Sequence, residues 1–190
     1  MELGQAQRTP IDLSRAGKGN FRREWPLWYE FLWMVAEAIF VKNPLQVSAR
    51  LRVAVLRLFG AKIGRKTLIR DIHVKFPWKL EVGDHCWLGE RVWIHNQDQL
   101  TIGHNTVISQ ESFITTGSHD PYVTMDLMTK PVRIGNGVWI TSRCIIQMGV
   151  EIGDNALVTP GSVVPKSLQP GGIYGGNPAK FLRPRWPEEQ

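Results

Sequence analysis

The stretch Ile134-Gly135-Asn136-Gly137-Val138-Trp139-Ile140-Thr141-Ser142-Arg143-Cys144-Ile145-Ile146 obeys one rule: an aliphatic residue returns every sixth place, and four places after it stands a small or β-branched one. The rule runs forward through Ile152, Val158 and Val164, and backward through Ile114, Ile108 and Ile102, then Ile94, Leu88 and Val82. The fifth places hold Cys86, Val92, Thr106, Ser112, Ser118, Val138, Cys144, Val150, Ala156 and Ser162, with departures at Asp98 and Leu168. Such a period fits neither a helix nor an uninterrupted strand. It is divisible by two, so short strands separated by turns can all aim one side chain inward. The beat describes a flat-faced β-solenoid whose stacked coils bury a continuous aliphatic column. An antiparallel sandwich would instead place turn clusters roughly every 8–12 residues.

Glycine often follows the aliphatic residue, as at Gly83, Gly89, Gly103, Gly135 and Gly153. A tight corner with unusual backbone angles is the expected reason. Two spacings break the beat: Ile94 to Ile102 is two residues too long, and Ile114 to Ile134 is fourteen too long. The second ejects a loop, residues 120–133, directly after His119. Insertions of this kind in compact repeats are commonly lids or binding elements.

The chain of 190 residues carries a net charge of +6. Residues 1–80 hold 15 Lys/Arg against 6 Asp/Glu, whereas residues 81–190 hold 8 against 11. No zinc-finger spacing, RNP-like motif or long basic run accompanies the basic part, so nucleic acid is not an expected partner. Two cysteines and the lack of a leader pattern give a cytoplasmic expectation. Apolar residues recur at helical spacing between Phe21 and Gly60 (Trp25, Trp28, Leu32, Val35, Ala36, Ile39), predicting one or two helices divided near Pro44. The run Trp25 to Val41, interrupted by Pro26, Glu30 and Glu37, does not read as a membrane span. The expected organisation is an N-terminal extension over residues 1–60, a solenoid over 61–169 with its loop, and a tail over 170–190. The helices of the extension either cap the solenoid or make peripheral contact with the inner face of a membrane through residues 21–60. In the second case Trp25, Trp28 and Trp33 would combine with Arg22, Arg23, Lys42, Arg50, Arg52 and Arg57.

Among the histidines, His73, His85, His95 and His104 read as turn or surface residues. His119 differs: it takes the sixth, outward place of its repeat, where the loop is ejected. Imidazole, with a typical pKa of about 6.5, can accept a proton from a weakly acidic group as that group attacks. Asp120 and Glu151 are the two carboxylates that could orient such a ring.

These features resemble the hexapeptide-repeat acyltransferase family over roughly residues 60 to 184. The run Thr115-Thr116-Gly117-Ser118-His119-Asp120 is similar to the Gly-Ser-His-Asp stretch of its sugar O-acetyltransferase branch, whose histidine is the general base. The whole pattern, with Leu58-Phe59-Gly60-Ala61-Lys62-Ile63-Gly64, most resembles the colanic-acid and exopolysaccharide biosynthesis branch. The resemblance implies an all-β fold, a left-handed parallel β-helix of about five coils between Ile63 and Leu168, assembled as a homotrimer. It implies transfer of an acetyl group from acetyl-CoA to a hydroxyl of a sugar or saccharide precursor, lipid-linked ones included. It further implies a backbone donor at Ser142, a pantetheine neighbour in Trp139, a pantetheine turn at Pro160-Gly161, and cations for the CoA phosphates in Lys166, Lys180 and Arg183. The ending Gly175-Gly176-Asn177-Pro178-Ala179-Lys180 resembles the stretch where the family's chain leaves the helix beside CoA, and Asn96 resembles an acceptor contact. No metal is expected. The rivals are a non-catalytic β-helix scaffold and a carbonic-anhydrase-like metalloenzyme, which would need a further histidine after the loop that this chain lacks.

Overall fold

Each hexapeptide contributes a strand of two or three residues, and three strands close one coil in the computed structural model, which describes residues 12–186. Stacked in register, the strands form three parallel sheets. The first sheet holds Lys62–Ile63, Leu80–Val82, Leu100–Ile102, Val132–Ile134 and Glu151–Ile152. The second holds Leu68–Ile69, Trp87–Leu88, Val107–Ile108, Trp139–Ile140, Leu157–Val158 and Gly172–Gly176. The third holds His73–Val74, Trp93–His95, Phe113–Thr115, Ile145–Ile146 and Val163–Val164. Five coils are complete, and a sixth is begun by a bridge at Leu168 and the strand Gly172–Gly176.

The columns foreseen from the beat form the core. Ile69, Leu88, Ile108, Ile140 and Val158 inside the second sheet, and Val74, Ile94, Ile114, Ile146 and Val164 inside the third, are each no more than 1% exposed. Burying each such side chain is worth on the order of 2 kcal/mol. The fifth places must be small because they fill the corners of the prism, and their hydroxyls serve the backbone there. Thr106 Oγ1 donates to the carbonyl of Gly135 at 2.8 Å and Ser112 Oγ to that of Thr141 at 2.8 Å.

The glycines after the aliphatic residues serve a different purpose from the one expected. Left-handed backbone falls two residues later, at His85, Asn105, Gly137 and Asn155, with φ of 60°, 55°, 64° and 60°. Gly83 and Gly103 are required instead because coils meet there. A Cβ on Gly103 would lie 2.7 Å from the carbonyl carbon of Gly135, and one on Gly83 2.8 Å from that of Gly103. A polar ladder climbs the same corner: His104 Nδ1 accepts from the N–H of Asp84 at 3.0 Å, Asn136 Oδ1 from that of His104 at 2.8 Å, and Asp154 Oδ1 from that of Asn136 at 2.7 Å.

The corner between the third and first sheets is where the chain varies. The interval Val74 to Val82 carries the same two-residue excess as Ile94 to Ile102. Asn96, fully buried, ties the two bulges together: its Oδ1 accepts from the N–H of Phe76 at 3.0 Å, and its Nδ2 donates to the carbonyls of Phe76 at 2.7 Å and Lys79 at 3.1 Å. One coil further on, the same corner opens into the large excursion. Thr116 is the last buried residue before it, and Ser118, expected to point inward, is exposed.

Two helices, α1 (Leu27–Ala36, continued by a π-helical turn Glu37–Val41) and α2 (Ala49–Leu58), precede the solenoid. They close its first coil. Trp33 Nε1 donates to the carbonyl of Val74 at 2.9 Å, and the buried Glu37 accepts from the N–H of Val74 at 2.6 Å. The outermost strand of the third sheet thereby has its open backbone groups occupied, which prevents edge-to-edge pairing. Trp33 and Arg52 are buried, so these two do not belong to the outward-facing membrane surface expected of the helices; Arg57 is exposed and donates to the carbonyl of Ile63 at 3.1 Å.

Gly103→Ala is expected to lower stability by about 1–3 kcal/mol through backbone clash, read by urea unfolding. Asn96→Ala is expected to lower it by about 1–3 kcal/mol for the stranded backbone groups. An unchanged unfolding midpoint would contradict the structural role.

Candidate active site

The excursion is a short hairpin. Thr116 pins its base, with Oγ1 accepting from the N–H of Asp98 at 2.7 Å and its carbonyl from that of Lys130 at 2.9 Å. Beyond it, Gly117–His119 pairs antiparallel with Leu127–Thr129, Ser118 opposite Met128 and His119 opposite Leu127. The chain rejoins the first sheet at Val132.

His119 is exposed, and its Nδ1 lies 2.9 Å from the carbonyl oxygen of Met125. A carbonyl only accepts, so the contact is a hydrogen bond when Nδ1 carries the proton, leaving the Nε2 lone pair free. Met125 itself stands at φ 56°, a conformation that non-glycine residues adopt rarely.

Neither carboxylate proposed from the sequence orients the ring. Asp120 folds back on the turn, accepting at Oδ1 from the N–H of Tyr122 at 2.9 Å and at Oδ2 from that of Thr124 at 3.2 Å. These donors, Tyr122 foremost, hold its carboxyl below the usual aspartate range. Glu151 sits on the outer face of the first sheet, where its partner is Arg133 at 3.7 Å. The backbone of Met125 takes the orienting part, which residue identity does not reveal. Asn96 is likewise withdrawn from the site, since its amide is spent within the wall.

A second contributor also escaped the sequence reading. The segment Gly17 to Asn20 lies alongside the hairpin as a strap. The N–H of Gly17 donates to Asp126 Oδ1 at 2.6 Å, and the N–H of Leu127 to the carbonyl of Gly17 at 3.2 Å. Asn20 clasps Thr129 with both ends of its amide: Nδ2 donates to the Thr129 carbonyl at 2.9 Å, and Oδ1 accepts from its N–H at 2.8 Å. At Gly19, φ is 50° and a Cβ would fall 1.9 Å from the carbonyl oxygen of Leu127. The run Gly17-Lys18-Gly19-Asn20 was the available signal.

The remaining candidates gather on the second sheet and its corner. Leu68, Trp87, Val107, Trp139, Leu157 and Ile173 succeed one another along its outer face by register. The final strand, Ala179–Pro184, extends that face by placing Arg183 opposite Ile173 and Lys180 opposite Gly175. Trp139 Nε1 donates to Ser109 Oγ at 3.1 Å, and the two help line a groove of ≈ 450 Å³ with Trp87, Val107 and Ser142. Ser142, Pro160 and Gly161 stack at the adjoining corner, where the N–H of Gly161 donates to the Ser142 carbonyl at 3.0 Å. The N–H of Ser142 finds no acceptor among the described residues. Lys166 stands apart, just past Val163–Val164, at the corner from which the His119 hairpin springs. An aromatic wall, an unspent backbone N–H and two cations at the far end suit an extended, polyanionic thioester. Among the described residues no three His, Cys, Asp or Glu converge as metal ligands.

Known proteins share this hexapeptide-repeat architecture. The family model "Bacterial transferase hexapeptide (six repeats)" matches residues 131–166. WcaF of Escherichia coli strain K12, which bears the name of a colanic acid biosynthesis acetyltransferase, is 41% identical over 170 residues, covering 87% of this chain and 92% of its own. The galactoside O-acetyltransferase of the same strain is 25% identical over 146 residues, covering 74% and 71%. A hexapeptide-repeat acetyltransferase of Vibrio cholerae, solved with acetyl coenzyme A, superposes with a TM-score of 0.74 at 25% identity, over 83% of this chain and 85% of that one. With a curated relative matched along nearly its whole length, the chain belongs to the hexapeptide-repeat acetyltransferases of the WcaF type.

Proposed function

We propose that the protein moves an acetyl group from acetyl-CoA to a hydroxyl of a saccharide precursor, with His119 Nε2 as general base. The observation that carries this reading is the bond between His119 Nδ1 and the Met125 carbonyl, which turns the basic nitrogen outward from the hairpin. Nε2 takes the hydroxyl proton as the oxygen attacks the thioester carbon. Negative charge gathering on the thioester oxygen is met by the N–H of Ser142, and the imidazolium returns its proton to the departing thiolate. No covalent acyl-enzyme is required. Trp139 flanks the pantetheine arm, Pro160 and Gly161 form the turn beside it, and Lys166, Lys180 and Arg183 face the phosphates.

Topology supports a site shared between copies of the chain. Within one chain, His119 and Lys166 occupy the corner between the third and first sheets, and Ser142 and Gly161 the corner between the second and third. A whole face of the prism, on the order of 15 Å wide, lies between them. A homotrimer, in which the hairpin corner of one copy meets the second sheet of the next, brings the two sets together. The saccharide acceptor is supported by the similarity to the galactoside O-acetyltransferase, whose name specifies such a substrate, and to WcaF, whose name places it in colanic acid biosynthesis.

The test is incubation with acetyl-CoA and a panel of sugars, nucleotide sugars and lipid-linked oligosaccharides, following CoA release and acetylated product by mass spectrometry. His119→Ala is expected to lower kcat by about 10²–10⁴-fold with acetyl-CoA binding retained; equal turnover by both proteins would remove His119 from the mechanism.

Asn20→Ala is expected to reduce kcat through a loosened hairpin, leaving the KM for acetyl-CoA and the unfolding midpoint of the solenoid near wild type.

For Asp120, whose folded-state pKa is depressed, the hairpin-ordering contribution is complete above the ordinary carboxylate range and is lost as pH falls through the depressed value. Asp120→Asn is therefore expected to keep the acid limb of the kcat profile in place. A displaced limb would mean that the carboxylate acts on the imidazole directly.

A further inference from the structure

Helix α1 and its π-helical turn are built inside out. The charged residues between Leu27 and Val41 are Glu30 and Glu37, and both face the protein: Glu30 accepts from Arg23 at 2.8 Å and Glu37 is buried against Val74 and His73. The face turned away from the solenoid is made of Trp28, Phe31, Leu32, Val35 and Ile39, all exposed, with Trp28 and Phe31 each at 63%. A surface helix of a water-bathed domain shows the opposite arrangement. The loop that follows adds Leu45 and Val47, 87% and 83% exposed, between polar residues, so exposed apolar side chains recur up to the start of α2. It exceeds the scattered single apolar residues that an ordinary surface tolerates.

Basic residues flank these segments in sequence. Arg22 precedes α1, Lys42 follows its last turn and Arg50 opens α2; all three are exposed. Apolar residues including tryptophan, flanked in sequence by cations and free of outward carboxylates, match the boundary of an anionic lipid bilayer, where aromatic rings sit at headgroup level and Lys or Arg meets phosphate. Fifteen residues from Leu27 to Val41 extend only about 22 Å, short of the roughly 30 Å hydrocarbon core. No helix among the described residues is long and apolar enough to cross a membrane.

We propose that the outward face of α1, with Leu45 and Val47, docks the protein on an anionic membrane surface, the helix lying in the plane of the headgroups. The inner face of the same helix keeps its capping duty through Trp33 and Glu37, so one element closes the solenoid and seats it on lipid. The strap Gly17 to Asn20, ten residues upstream, places the His119 hairpin on the chain segment that leads into the docked helix. The docking is independent of the chemistry at His119.

The full chain is sedimented with vesicles of phosphatidylcholine alone and of phosphatidylcholine mixed with phosphatidylglycerol, while its oligomeric state is followed by light scattering. Wild type is expected to pellet with the anionic vesicles only and to be released by salt. Trp28→Glu/Ile39→Glu is expected to lose vesicle binding while keeping its oligomeric state, acetyl-CoA binding and circular dichroism. Lys42→Gln is expected to weaken binding about fivefold. Should the double variant fail to fold, quenching of wild-type tryptophan fluorescence by brominated lipid in anionic vesicles supplies the readout. The proposal is overturned by absence of pelleting with anionic vesicles, by undiminished binding of a folded double variant, by absence of quenching, or by a wild type that ignores vesicles while the double variant falls apart as an oligomer. The last result would assign the face to a second copy of the chain.

Discussion

Every coil must land in register on the one before it, and this requirement governs the molecule. Inward aliphatic residues have no partners unless the next coil places its own directly above, and the backbone groups of each strand have no acceptors unless the neighbouring strand lies alongside. One misplaced residue within a face would invert the inside and outside of every strand after it. Insertions are therefore confined to corners. The corner between the third and first sheets absorbs all of the large ones: a two-residue bulge, a second bulge locked to the first by Asn96, and then the hairpin bearing His119.

A stack of this kind is rigid where it is regular, and the proposed base stands where regularity is broken. His119 gains its bearing from a turn rather than from the solenoid, and three separate devices keep that turn in place: the Thr116 base, the Asp120 carboxylate closing the turn, and the Asn20 clasp from the N-terminal strap. The open end of the stack poses the converse problem. An unpaired strand edge is sealed by Trp33 and Glu37, side chains that imitate the missing strand.

The core was legible from spacing alone because each of its residues answers a single demand, apolar and inward at every sixth place. Glycine positions were legible too, but their cause was not: the sequence cannot separate a left-handed φ from a close approach of coils, and Gly103 serves the second. Ser118 satisfied the small-residue rule by coincidence, since the departure into the hairpin depends on pairing with Met128. Of the candidate residues, His119, Trp139, Lys180 and Arg183 are named by motif and place, and the fold puts His119 on the hairpin and the other three on the second sheet. The orienting carbonyl of Met125 and the Gly17 to Asn20 strap could not be named in this way, because backbone groups carry no residue signature and contacts 109 residues apart leave no local pattern. Asn96 misled because an asparagine buried to brace two corners looks, in sequence, like one offered to a ligand.

In the proposed mechanism a backbone carbonyl fixes His119 in the form whose Nε2 is the base. Long-range proton–nitrogen NMR of the histidine side chains at alkaline pH, where imidazoles are neutral, tests it directly. The His119 signals, assigned by their absence in His119→Ala, are expected to show a protonated Nδ1 and a bare Nε2. A proton resident on Nε2 would contradict it.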